Sequence, residues 1–244
     1  MRHVRSLLFM MLPVATILSA SQPAQASPLA YEGFSMPLPA PFHGGAGFSG
    51  PWNHGGSQGL SWSDSTLSIN GLRTSGGSAS SDASSLALSY AWRELPYDVN
   101  NNPAIYVSFL VQPRGKLNEG RFGGFFGLVI VGNQPLFVGK PGAGAVAEYV
   151  LETQGGGGQV ASGVSVAIGE TALLVVRVDL ELGNDFVTLH VNPSVKGPEP
   201  AGVTVKSDLD LGPLTSLAIY SGGSFAIDEI RVGTTYEDVV GPVK

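Results

Sequence analysis

The sequence predicts an all-β chain in which two antiparallel sheets pack face to face, as in sandwiches and jelly rolls. Three observations lead there. After residue 26, no stretch keeps apolar residues at i, i+3, i+4 and i+7 for about ten positions without a Gly or Pro interrupting it. Short β-branched and aromatic runs recur instead. Between them lie clusters drawn from Gly (34 in the chain), Pro (17), Asn and Ser, which supply the positive and fixed φ angles that turns need. With 43% hydrophobic residues the chain can bury a core. Composition does not shift along residues 27–244 and no period repeats, so a single domain is expected there.

Taken in order, the expected strands are Ala30–Phe34, Thr66–Ile69, Leu86–Trp92, Ala104–Gln112, Gly124–Val131, Leu136–Gly139, Val146–Glu152, Thr171–Leu182, Asp185–Asn192, Val203–Leu209, Leu214–Ser221 and Ser224–Gly233. The turn Gly132-Asn133-Gln134-Pro135 joins the fifth and sixth. Gly183-Asn184 is a two-residue hairpin signal that would pair Leu180 with Val187 and Val178 with Leu189. That register puts apolar residues on one face and Arg177, Asp179, Glu181, Phe186, Thr188 and His190 on the other. Gly222-Gly223 reads as a further hairpin, with Tyr220 opposite Phe225. The glycines Gly155–Gly158 have no strand–helix context and no following Lys, so they read as a flexible loop tip and not as a phosphate cradle.

Residues 1–26 carry the three parts of a secretory signal: basic Arg2 and Arg5, the apolar run Leu7–Leu18, and small residues at Ala24-Gln25-Ala26. The apolar run is interrupted by Pro13 and is shorter than the roughly 20 residues that span a bilayer. A secreted or periplasmic protein cut after Ala26 is therefore expected, with no membrane anchor left on it. The net charge of −6 becomes more negative when Arg2 and Arg5 leave, so nucleic acid is not an expected partner. The absence of Cys excludes a disulfide scaffold and Cys-ligated metal centres.

Tyr31–Phe34, Gly44–Trp52 (GGAGFSGPW), Tyr106–Val111 (YVSFLV), Leu136–Lys140 (LFVGK), Ala172–Leu180 (ALLVVRVDL) and Ile227–Thr234 (IDEIRVGT) occur in an order that resembles bacterial secreted domains of the concanavalin A-like lectin/glucanase superfamily, laminin-G-like type. The resemblance implies a two-sheet antiparallel jelly-roll β-sandwich whose first and last strands are neighbours. It also implies a superfamily that mostly binds glycans and includes glycoside hydrolases. Relatives of this type often end in a sorting tail, whereas this chain ends Gly241-Pro242-Val243-Lys244, which favours free secretion.

The Glu-x-Asp-x-x-Glu spacing of the superfamily's retaining glycosidases does not occur, so no catalytic residue is assigned. The nearest substitute is the polar face holding Arg177, Asp179, Glu181 and His190, since residues two apart on a strand lie about 7 Å apart, within reach of one glycosidic bond. Asp228 alternates with Ala226, Ile230 and Val232, and Glu32 with Phe34 and Met36, so each carboxylate needs a partner on an apolar face. If first and last strands are neighbours, the resemblance implies that Glu32 and Asp228 could share a structural Ca²⁺. Aromatic rings pack against the C–H faces of pyranoses, which makes Trp52, His54, Trp62, Trp92 and Tyr97 the expected ligand-binding residues. The sequence therefore leads to a secreted, non-catalytic module that recognises extracellular polysaccharide. A hydrolase or lyase on the Asp179/Glu181 face and a structural or protein-binding exported domain are the alternatives. Oligomeric state is not encoded in any motif.

Overall fold

A computed structural model describes residues 27–35, 44–57, 59–82, 87–142, 147–202 and 204–241; the expected leader lies outside the described residues. The chain is an antiparallel jelly-roll β-sandwich. Its strands are β1 (Ala30–Glu32), β2 (Asn53–Gly56), β3 (Ser61–Ser63), β4 (Ser78–Ser81), β5 (Ser89–Glu94), β6 (Ala104–Pro113), β7 (Phe126–Val131), β8 (Leu136–Lys140), β9 (Glu148–Thr153), β10 (Gly157–Ser165), β11 (Ala172–Asp179), β12 (Phe186–Val191), β13 (Thr204–Lys206), β14 (Ser216–Ser221) and β15 (Phe225–Gly233). One sheet runs β13-β12-β11-β6-β15-β4-β3 with β1 also on β15; the other runs β10-β9-β8-β7-β14-β5-β2. A short helix, α1 (Tyr236–Val240), is capped by Thr235 and Asp238 in a reciprocal capping box and lays Tyr236, Val239 and Val240 on the outer face of the first sheet. Among the described residues no helix is long and apolar enough to cross a membrane.

The two inner faces interdigitate through alternating apolar residues such as Val107, Phe109 and Val111 of β6 and Leu128 and Ile130 of β7. Phe126 and Phe225 stack across the sandwich with ring centroids 5.3 Å apart. The expected adjacency of first and last strands is present: Ala30 pairs with Val232 and Glu32 with Ile230. The turn at residues 132–135 joins β7 to β8 as read from the sequence, with Ile130 opposite Leu136.

Several local expectations are corrected. The β11–β12 register is shifted by two residues: Val178 pairs with Val187, Val176 with Leu189 and Val175 with His190. The connection is therefore a six-residue loop and not a tight Gly183-Asn184 turn. The buried Asp185 carboxylate organises it, accepting from the amides of Glu181 (2.9 Å) and Leu211 (2.7 Å). A shift of two keeps every side chain on its expected face, which is why the binary pattern reads the same in both registers. The Gly222-Gly223 link is not a hairpin, because β14 pairs with β5 and β7 in one sheet while β15 pairs with β6, β4 and β1 in the other. Residues 66–69 form no strand, and β2, β3, β4 and β10 are strands whose Ser- and Gly-rich sequences hide them.

Candidate functional site

The outer face of the second sheet carries a row of aromatic rings. Pairing sets Tyr90 of β5 opposite Tyr220 of β14, and Tyr220 opposite Gly127 of β7, which in turn faces Gly139 of β8. The adjacent row reads Trp92, Ala218, Val129, Phe137 and Glu152 across β5, β14, β7, β8 and β9. Strand alternation sends these residues outward while Ala91, Leu128, Val138 and Leu151 enter the core. Their rings touch in series: Trp92 to Tyr90 at 5.3 Å, Tyr90 to Tyr220 at 5.6 Å, Tyr220 to Phe125 at 4.7 Å, and Phe125 to Phe137 and Phe122 at 6.2 and 6.4 Å.

A groove of about 510 Å³ opens beside Phe122, Phe125, Phe137 and Tyr220. Gly127, opposite Tyr220, leaves no room for a side chain between β7 and β8, since a Cβ there would collide with the Val138 carbonyl and lie 3.0 Å from Phe137 Cζ. The far wall is polar: Glu152, Gln154, Gly155, Gly156 and Gln159. Gln159 Nε2 donates to Glu152 Oε2 at 2.7 Å. Burial pushes the Glu152 carboxyl up, with the Gln159 hydrogen bond and the Lys206 charge acting against that. Gly155 and Gly156 form the exposed turn at the tip of the β9–β10 hairpin, as the sequence implied, and they also line the groove, while Gly157 and Gly158 open β10. Phe122 stands at the mouth, 60% exposed and with φ of 52°, beneath the Arg121 guanidinium at 5.0 Å.

Of the aromatic residues expected to bind ligand, Trp92 stands on this face and the others do not. Trp52 is 1% exposed in the inter-sheet core, and its Nε1 donates to Glu32 Oε2 at 3.0 Å. Trp62 packs against the same core and donates to the Phe34 carbonyl. His54 sits on β2 opposite the inward-facing Ala91, where burial lowers its pKa. Tyr97 lies off the sheet on the 3₁₀ turn Tyr97–Asn101 and is 90% exposed. Tyr90, Tyr220, Phe125 and Phe137 escaped the sequence reading. The signal was present in the alternation of Tyr90 and Trp92 around the small residue Ala91, and in Phe137 alternating with Gly139.

The polar face of β11 and β12 converges on a residue that the pattern did not reveal. Glu199 Oε2 accepts from Tyr106 Oη at 2.7 Å and Arg177 Nη1 at 3.2 Å, and Glu199 Oε1 lies 3.1 Å from His190 Nε2. Burial pushes the Glu199 carboxyl up, but its hydrogen bonds with Tyr106 and His190 and the Arg177 charge outweigh this and leave it below the ordinary carboxylate value. Arg177 also clasps Asp179 Oδ1 through Nε (3.0 Å) and Nη2 (2.7 Å). Glu181 lies past the end of β11, so Asp179 and Glu181 do not form the expected carboxylate pair on one strand. The Asp179 and Glu199 carboxylates of this face are occupied by their own neighbours.

Glu32 and Asp228 do not converge either. A bulge between Asp228 and Arg231, with Glu229 at φ 52°, reverses the alternation of β15. Asp228 therefore faces outward with Leu110 and Ala226, while Glu32 faces the core opposite Ile230. Glu32 accepts from Arg93 Nη1 (2.6 Å), Trp52 Nε1 (3.0 Å) and the Phe34 amide (2.8 Å). Asp228 accepts from Thr66 Oγ1 (2.8 Å) and the amides of Leu67 (2.9 Å) and Glu229 (2.7 Å). Two carboxylates on opposite faces of one sheet, each filled with N–H and O–H donors, do not fit one shared Ca²⁺.

Burial, with the neighbouring Glu229 charge, raises the Asp228 carboxyl from 3.8 to about 8, against its hydrogen bonds to Thr66, Leu67 and Glu229. The folded chain therefore keeps a proton that the unfolded chain releases. This group's contribution to stability is complete below pH 3.8 and is lost as pH rises through about 8. Denaturation midpoints are expected to fall between about pH 5 and about pH 9, and Asp228→Asn to flatten that decline.

No family profile and no curated protein matches the sequence. Solved structures match the fold. The binding domain of botulinum neurotoxin serotype D/C superposes with a TM-score of 0.50 at 8% identity, over 86% of this chain and 49% of that one. The serotype D binding domain gives 0.48 at 10% identity, over 86% and 48%. A protein of unknown function from Shewanella oneidensis MR-1 gives 0.46 at 9% identity, over 94% and 98%. This chain spans about half the length of the neurotoxin binding domains it matches. The likeness is one of fold, in keeping with the two antiparallel sheets of this chain.

Proposed function

We propose that the protein is an exported, non-catalytic recognition module that holds extracellular polysaccharide in the groove of the second sheet. The observation that carries this reading is the series of rings from Trp92 through Tyr90 and Tyr220 to Phe122, which ends at a wall of Glu152, Gln154 and Gln159. Flat rings bind the C–H faces of pyranoses, and a carboxylate with amides takes their hydroxyls. From β5 to β9 the row crosses four strand spacings, about 19 Å at roughly 4.8 Å each, room for several sugar units in line. Among the described residues Glu152 is the one acid lining the groove, whereas glycoside hydrolysis ordinarily uses two carboxylates, which favours binding over cleavage. Export rests on the signal-like residues 1–26, and the resemblance to concanavalin A-like domains agrees with a glycan ligand.

Native affinity electrophoresis through gels carrying a panel of polysaccharides tests this. At least one polymer is expected to slow the protein, equally with calcium and with chelator. Trp92→Ala and Tyr220→Ala, both half-buried at the surface, are each expected to weaken retention by about tenfold or more. Retention unaffected by both substitutions would place the ligand elsewhere.

A further inference from the structure

Among the described residues the groove has one charged lining side chain, Glu152. We infer that the groove selects uncharged polysaccharides and rejects polyanions, with Glu152 as the specificity-determining residue. This rests on the groove being the glycan site.

Glu152 is 7% exposed yet lines the groove, so its carboxylate meets a ligand with little intervening water. Gln159 fills part of its hydrogen-bonding capacity; a carboxylate accepts up to about four hydrogen bonds, so sugar hydroxyls can take the rest. The other lining side chains are Gln154, Gln159 and aromatic rings, which offer hydrogen bonds and C–H contacts and no positive charge. A uronate or sulfate group seated there would meet a like charge across a poorly solvated gap, where repulsion is strong.

The cations nearby do not reverse this. Lys206 Nζ is fully buried and committed to Asp208 Oδ1 (2.7 Å) and the Gly158 carbonyl (2.6 Å). Lys140 Nζ donates to the carbonyls of Gly123 (2.7 Å) and Gly124 (3.2 Å) and is itself buried. Arg121 stands outside the mouth, over Phe122. A cationic polymer is disfavoured by the same burial, because an ammonium would have to shed its water between aromatic walls for a single acidic partner.

The test uses the purified chain in about 0.15 M salt, where screening over about 8 Å confines the comparison to charges inside the groove. Dextran, a mixed-linkage β-glucan and a galactomannan are each compared with a sulfated derivative of the same polymer, with chitosan as the cationic probe. A neutral polymer is expected to bind, and its sulfated form to bind about tenfold more weakly or worse. Glu152→Gln, which keeps the shape and the Gln159 contact region while removing the charge, is expected to bring the two forms to within about threefold of each other. Equal or tighter binding of a sulfated polymer by the unmodified protein, tightest binding of chitosan, or an undiminished discrimination in Glu152→Gln would each overturn the assignment. Should a polyanion bind in a manner lost with Tyr220→Ala, the groove remains the glycan site and only the charge selectivity fails. If no polymer of any charge binds, the recognition function and its selectivity fall together.

Discussion

Replacing Glu32 with alanine is expected to cost about 3–5 kcal/mol of stability, read as a lower guanidinium midpoint, because it strands a buried cation. The side chains of Arg93 and Glu32 are 6% and 1% exposed and meet at 2.6 Å. Burial lowers the Arg93 pKa, with the Glu32 charge and hydrogen bond working in the opposite direction. The pair anchors more than itself. Glu32 also holds the Trp52 indole and the Phe34 amide, and Arg93 donates to the carbonyls of Gly44 and Gly50 while stacking on Phe48 at 4.5 Å. The pair therefore ties β1 and residues 44–52, which belong to no long strand, to β5 of the opposite sheet. Replacing both residues, Glu32→Gln with Arg93→Met, is expected to cost less than the two single substitutions added together, since neither charge is then left alone. Additive losses would show that the two residues act separately.

The second large loss is expected from Phe126→Ala, again about 3–5 kcal/mol, through a cavity between the sheets. Phe126 is 1% exposed and Phe225 fully buried, and their rings lie 10° from parallel. They join β7, which follows the groove residue Phe125, to β15, the strand that carries the bulge. Phe126→Leu is expected to recover much of the loss by refilling the volume. If Phe126→Ala unfolds no more readily than the parent, the two sheets are not held together at this point.

How far the sequence led can be traced residue by residue. The hairpin of β11 and β12 was legible as a pair and as a two-faced pattern, because alternation survives any even shift. Its register was not, because the decisive group is Asp185, whose carboxylate accepts from Leu211, far along the chain. The Gly222-Gly223 link carried the composition of a hairpin turn, yet it passes the chain from one sheet to the other. A dipeptide cannot encode which sheet its second strand joins. Phe225 reaches the inner face opposite Phe126 only once that crossing is made.

The candidate site shows the same division. Trp92 was singled out for its aromatic character, but so was Trp52, and nothing local distinguishes an indole that caps the core from one that faces outward. Glu152 shares a face of β9 with Glu148 and nothing local sets it apart, since Gln159 and Phe137 reach it from neighbouring strands. Glu32 and Asp228 looked alike as carboxylates on apolar faces, and one residue of bulge at Glu229 put them on opposite sides of the sheet.

By itself the sequence determined the all-β class, the presence of two faces on most strands, and the neutral-to-acidic, Cys-free surface chemistry, because these follow from local alternation, turn residues and composition. The groove, the register of β11 on β12, the partners of each buried carboxylate and the exposure of each tryptophan were decided only by the tertiary structure. Each of them depends on contacts between strands distant in sequence, and a period of two specifies which face a residue takes but not which neighbour it meets there.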